Sequence, residues 1–123
     1  AKTLVLLCGV NSLGGGAAAV TASLEAQLDS ARAAGMTVIP VLLTPWKDAG
    51  TWSAGLQTAQ NSVNASLTSY CSTHGLTCVS TATLGGEGGD PDRLLAAYNS
   101  GDGIHLNAAG GAALAALVQA ANP

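Results

Sequence analysis

Thr3-Leu-Val-Leu-Leu-Cys-Gly-Val10 is the stretch on which the fold turns. An apolar run of this length with no polar alternation is a strand covered on both faces, the signature of a parallel sheet. Asn11 to Gly16 follow as a Gly-rich loop, and a helix is expected from about Ala17 to Ala34. Val20, Leu24 and Leu28 recur every fourth residue along it, which gives one apolar stripe. Gly35 ends it, since glycine takes the left-handed conformation that closes a helix. Thr37-Val-Ile-Pro-Val-Leu-Leu-Thr44 is then a second apolar strand, with Pro45-Trp46 opening a loop at its carboxyl end. Pro40 removes a ladder donor inside that run and predicts a bulge or irregular pairing.

The second half repeats the alternation. A polar helix from about Ser53 to Ser72 carries Leu56, Val63, Leu67 and Tyr70, and Cys78 to Thr81 form a short third strand. Leu84 to Asp90 read as a Gly-rich loop, and Asp90-Pro91 as a cap with proline at the first helical position. A short helix to about Tyr98 and a last helix after Asn107, using Leu114, Leu117 and Val118, complete the chain. The order β-α-β-α-β-α-α over residues 1–123 implies one domain: a three-layer α/β/α parallel sheet of about three strands with right-handed crossovers. Ligand sites in such sheets lie beyond the carboxyl ends of the strands. Gly9 to Gly16, Thr44 to Trp52 and the turn holding Asp102 and His105 fall there.

Composition supports a packed core and narrows the function. Hydrophobic residues make up 48% and charged residues 9%, and with no Phe the core must be Leu, Val, Ile and Ala. A net charge of −3 leaves no basic surface for phosphates, so no nucleic-acid partner is expected. No apolar run reaches the roughly 20 residues of a membrane span. The N-terminal run reads as a strand rather than a secretory leader. Few charges, abundant Ala, Gly, Ser and Thr, and paired cysteines nevertheless lean towards a secreted, extracellular protein.

Cys71 and Cys78 flank Gly75, a helix-terminating residue, so a helix-to-strand turn can bring them within bridging distance. A disulfide and two reduced buried thiols are both compatible with the spacing. A metal would need more ligands than nearby His74 supplies, so no metal and no cofactor is expected. Cys8, inside the apolar run, is expected in the core.

Asp102 precedes His105 by three residues in Asp102-Gly-Ile-His105-Leu-Asn107, with Asn107 as the cap of the last helix. Such a pair can set the carboxylate against one imidazole nitrogen and free the other to accept a proton from a hydroxyl. An exposed loop histidine beside a capping aspartate has the same spacing. Trp46 and Trp52 flank the loop after the second strand, either lining an acyl or sugar pocket or anchoring the loop. Gly85 to Gly89 lack the lysine and the preceding strand of a phosphate cradle. Asn64-Ala-Ser66 fits a glycosylation acceptor but lies inside a helix.

Val5-Leu-Leu-Cys-Gly9-Val-Asn11-Ser-Leu-Gly14 resembles the block of SGNH/GDSL-type serine esterases and lipases in which Gly-x-Asn-Asp follows the central strand. The strand and loop Val38 to Trp46, the helix segment Asn64-Ala-Ser-Leu67, and Asp102-Gly-Ile-His105-Leu-Asn107-Ala-Ala-Gly110 follow in the family's order. The resemblance covers nearly the whole chain and the later two-thirds of a typical family domain. It implies a reduced SGNH, flavodoxin-like fold and the hydrolysis of small carboxylic esters. It further implies His105 as general base, Asp102 as its orienting carboxylate and the Asn11 amide as an oxyanion donor. Read without the resemblance, Asn11 is a loop residue tolerant of left-handed geometry.

One departure is large. The family's nucleophile sits in a Gly-Asp-Ser block ahead of the Gly-x-Asn block, with an oxyanion glycine between them, and neither precedes Asn11 here. Asp29-Ser30 lies mid-helix, away from the site. Ser12, following Asn11 in Gly9-Val-Asn-Ser12-Leu, is the candidate nucleophile. The other reading is a truncated or inactive SGNH-like domain acting in binding or assembly, or one whose nucleophile comes from another segment. The strand Thr3–Val10 would then be an apolar edge, open to a second copy or a complementing N-terminal segment.

Overall fold

A computed structural model describes residues 2–122. Two parallel strands, β1 (Thr3–Leu6) and β2 (Thr37–Pro40), pair in the register Leu4 with Val38 and Leu6 with Pro40. Around them lie α1 (Ala17–Ala33), α2 (Ala54–His74) and α3 (Ala108–Ala121). Helices α1 and α2 share one core with the sheet, built on Val20, Leu24, Leu28, Val38, Val63 and Leu67. On the opposite face, Leu114, Leu117 and Val118 of α3 cover Ile39, Val41 and Val79. The expected α/β/α layering therefore holds, and the Val20-Leu24-Leu28 stripe is the buried face of α1. Among the described residues, no helix is long and apolar enough to cross a membrane.

The third strand is shorter than expected, and Pro40 explains why. The N–H groups of Thr37 and Val41 donate to Lys2 O, just ahead of β1, and to Leu6 O within it, so alternate residues of β2 face the other way. Pro40 is one of these, and its missing N–H falls on the side of the third strand. Pairing there begins only at its carbonyl, which accepts from Val79 N at 2.9 Å, while Leu42 N donates to Val79 O at 3.0 Å. What remains is a single parallel bridge between Val41 and Val79.

β1 also stops early. Gly9, at φ 117°, turns the chain into a 3-10 segment over Val10–Gly15. A β-carbon at Gly9 would come within 3.0 Å of Val20, so both conformation and space select glycine. Cys8 lies beyond the strand and is exposed, which corrects its expected place in the core. Among the described residues β1 pairs on one side only, and Val5 within it and Leu7 just after it are 46% and 36% exposed.

Chain-end chemistry sets the longer helices. The Ser53 side chain accepts from Leu56 N at the start of α2, and Gly75 at φ 64° closes it. This turn carries Cys71 and Cys78 into a disulfide, with Cα atoms 5.8 Å apart. The helix expected from Pro91 to Tyr98 is absent. Asp90 Oδ1 accepts from Asp92 N to close a turn, and residues 93–95 then pair with the Gly-rich segment through Gly86 N to Arg93 O and Leu95 N to Leu84 O. Backbone groups occupied in a ladder cannot also close helical turns. Only Ala96–Tyr98 form a 3-10 turn.

Candidate active site

The turn between Asn99 and Asn107 is built by side chains that bond to backbone. Asn99 Oδ1 accepts from Gly101 N and Gly103 N at 2.8 and 3.1 Å. Ser100 N donates to His105 O, and Asn107 N to Tyr98 O, closing the base of the turn. The Asn107 side chain accepts from Gly110 N at the start of α3 and donates to Ala97 O. Asn99 was not singled out from the sequence, although an Asn three residues before an Asp in a Gly-rich turn is a signal for such bonding.

Asp102 is the centre of this arrangement. Its Oδ1 accepts from His105 N at 2.8 Å, Ile104 N at 3.0 Å and Ser100 Oγ at 3.2 Å. Its Oδ2 lies 2.5 Å from His105 Nδ1. The backbone N–H of His105 first, then the His105 ring and the Ile104 N–H, hold the carboxyl well below the usual carboxylate range. Facing an ionised carboxylate, Nδ1 carries the proton. Nε2 of the neutral ring is then the acceptor, with no hydrogen-bond partner among the described residues. The His105 side chain is 72% exposed, so that nitrogen is open to an incoming hydroxyl.

The platform beneath the turn is the loop after β2. Gly103, buried and at φ 83°, sits directly on the backbone of Asp48 and Ala49. That loop is tied to the segment after residue 86 by two ion pairs, Lys47 to Asp90 at 2.6 Å and Arg93 Nε to Asp48 at 2.9 Å. The Asp90 carboxylate raises the Lys47 pKa and is itself lowered by the ammonium. Trp46 is 2% exposed and packs in the main core, so it anchors this loop. Trp52 is half-buried; its Nε1 donates to Gln57 Oε1, and Lys47 Nζ lies 5.3 Å from its ring centroid.

Asn11 and Ser12 lie together in the exposed turn at the carboxyl end of β1. Ser12 N donates to Gly9 O at 3.0 Å. Ser12 also borders a cavity of about 240 Å³ with Cys8, Gly9, Ser23 and Gln27, walled by α1. Asp102 and His105 are brought into direct contact; among the described residues no hydrogen bond joins Ser12 or Asn11 to His105.

Comparison with known proteins gives a consistent picture. The chain is similar to a crystal structure described as a candidate acylhydrolase from Bacteroides fragilis, with a TM-score of 0.85 and 21% identity over 98% of this chain and 60% of that one. It is also similar to a GDSL-like lipase from Bacteroides thetaiotaomicron, with a TM-score of 0.83 and 19% identity over 98% of this chain and 61% of that one. The chain thus spans about three-fifths of the length of either structure. No curated protein matches it. Residues 1–113 match the profile of the GDSL-like lipase/acylhydrolase family, and the chain belongs to that family.

Proposed function

We propose that this chain carries the acid–base half of a serine esterase that cleaves small carboxylic esters. The observation that carries the reading is the Asp102–His105 pair, with Nδ1 held by a carboxylate on a largely exposed side chain. In the proposed reaction His105 Nε2 takes the proton of a serine hydroxyl as its oxygen bonds to the ester carbonyl carbon. Asp102 stabilises the imidazolium, and the Asn11 amide with loop N–H groups receives the oxyanion. The C–O bond to the alcohol then breaks, and the alcohol leaves with the proton from Nε2. Water enters by the reverse sequence and releases the acid. Trp52 is the proposed wall for the substrate, Trp46 supporting it from below.

Ser12 is the proposed nucleophile within the chain. A second reading, in which the serine comes from another segment or copy, is favoured by the absence of a bond between Ser12 and His105 among the described residues. The exposed Val5 of β1 and Leu7 just after it suit pairing with a second copy, which we propose as the form in solution. The Cys71–Cys78 disulfide supports an extracellular setting.

Hydrolysis of p-nitrophenyl acetate, followed by mass-spectrometric mapping of fluorophosphonate labelling, tests both readings. Labelling of Ser12, with activity lost in Ser12→Ala and His105→Ala, is the expected result. Activity kept in Ser12→Ala removes Ser12 as nucleophile, and a folded wild type without activity leaves the binding or assembly reading.

A further inference from the structure

Asp102 stands between two glycines of positive φ, Gly101 at 116° and Gly103 at 83°. Glycine backbone is free to swing, so an untied Asp102 would point its carboxylate in many directions. Two of the donors to its Oδ1, the N–H groups of Ile104 and His105, lie on the same turn and align only when the peptide after Asp102 is fixed. The bond from Gly103 N to Asn99 Oδ1 at 3.1 Å fixes that peptide, because the Gly103 N–H shares a plane with the Asp102 carbonyl. The same Asn99 oxygen accepts from Gly101 N at 2.8 Å. Both partners are N–H donors, which identifies the atom as oxygen. One side-chain atom thus ties the backbone on both sides of the carboxylate.

Asn99 is itself well anchored. It is half-buried, pairs with Leu106 across an antiparallel bridge, and its N–H donates to Ala96 O at 3.3 Å. Its carbonyl accepts from Asn107 Nδ2 at 3.3 Å, and Asn107 caps α3. Support therefore runs from α3 through Asn107 and Asn99 to Asp102, and from there to His105 Nδ1. The surrounding charges do not compete. No ionisable side chain occurs in α3, and Asp48 on the platform beneath is paired with Arg93. The direction of the Asp102 carboxylate then decides which ring nitrogen of His105 keeps the proton.

We propose that Asn99 is a positioning residue for the Asp102–His105 pair, holding Asp102 Oδ2 on Nδ1 and so keeping Nε2 as the free acceptor. It acts through Asp102 and makes no bond to the ring. Its effect on ester cleavage rests on the esterase reading; its effect on the His105 tautomer does not.

The test reads that tautomer from the imidazole ¹⁵N shifts in alkaline solution, where the ring is neutral. The wild type is expected in the Nδ1–H form, whereas an imidazole free in water favours Nε2–H. Asn99→Ala is expected to move the ratio towards Nε2–H by about fivefold, the worth of one net hydrogen bond. Asn99→Asp keeps the acceptor oxygen and is expected to restore the wild-type ratio. Should Asn99→Ala fail to fold, Asn99→Ser carries the arm: its shorter side chain reaches the Gly101 N–H alone, and the ratio should move the same way. Ser53→Ala removes a cap of similar kind at the start of α2 and is expected to leave the tautomer unmoved. In p-nitrophenyl acetate hydrolysis Asn99→Ala should lower kcat by about 10–10²-fold with KM unchanged. A wild type that is inactive but shows the tautomer shifts removes the esterase reading and keeps the positioning role. An unmoved ratio in folded Asn99→Ala or in Asn99→Ser, no recovery in Asn99→Asp, an equal shift in Ser53→Ala, or a wild type in the Nε2–H form each overturns it.

Discussion

Gly103 rests on Asp48 so closely that a β-carbon on it would come within 2.5 Å of the Asp48 carbonyl oxygen. The same residue holds φ 83°, a region open to glycine and costly for other L-residues. Gly103→Ala must therefore lift the turn off its platform. A loss of roughly 2–4 kcal/mol in denaturant unfolding is expected, combining overpacking with backbone strain. A variant as stable as wild type would mean that the turn does not depend on this contact.

Asp102→Asn keeps the shape of the side chain but lets it meet His105 Nδ1 with either an oxygen or an NH₂ group. On the esterase reading, kcat for p-nitrophenyl acetate is expected to fall by about 10²–10⁴-fold with far-ultraviolet circular dichroism unchanged. The pH behaviour follows from the lowered carboxyl pKa. Above the ordinary carboxylate value of about 3.9 the group is ionised in folded and unfolded chains alike, and its full stabilisation is present. Below that value the unfolded chain binds the proton first, so the contribution is lost as pH falls towards the folded pKa. The His105 backbone amide resonance is expected to hold its position through pH 4 (about the ordinary carboxylate value) and to move only in stronger acid. An inflection near pH 4 would contradict the bonding described for Asp102.

The Cys71–Cys78 bridge closes a short loop, seven residues in separation. Chain-entropy reasoning gives a stabilisation of about 2–3 kcal/mol for a loop of this size. The Cys71→Ser, Cys78→Ser double variant is expected to show that deficit, and reducing agent should lower the melting temperature of the wild type alone. Equal melting temperatures with and without reductant would show that the thiols are not joined in solution.

Val5→Lys places a charge on the exposed edge of β1 without touching the main core. Light scattering behind size exclusion is expected to report a dimer for wild type and a monomer for this variant. A monomeric wild type at high concentration removes the proposed self-association.

Legibility followed the kind of interaction that fixes each element. The stripe Val20, Leu24, Leu28 and the closing glycines 35 and 75 act within one helix, so periodicity reveals them. Asp102 and His105 were legible for the same reason, their contact being local. Residues 90–98 carry good helix-start chemistry, yet their backbone pairs with the Gly-rich segment, and that partner is a tertiary fact. The truncated third strand was foreshadowed by Pro40, but which side loses the donor depends on register. Cys8 was misplaced because the break at Gly9 ends β1 before the apolar run itself ends.

Pro40 also gives the sheet a direction of failure. Cross-links between β2 and the third segment start at its carbonyl, so the sheet is broadest where the functional loops leave and tapers at the other end. Local opening should enter from the narrow end, exchanging the amide of Thr77 long before those of Val79 and Leu42. The loops that carry Asp48 and its neighbours would then be among the last to fray, held by the part of the sheet that proline left intact.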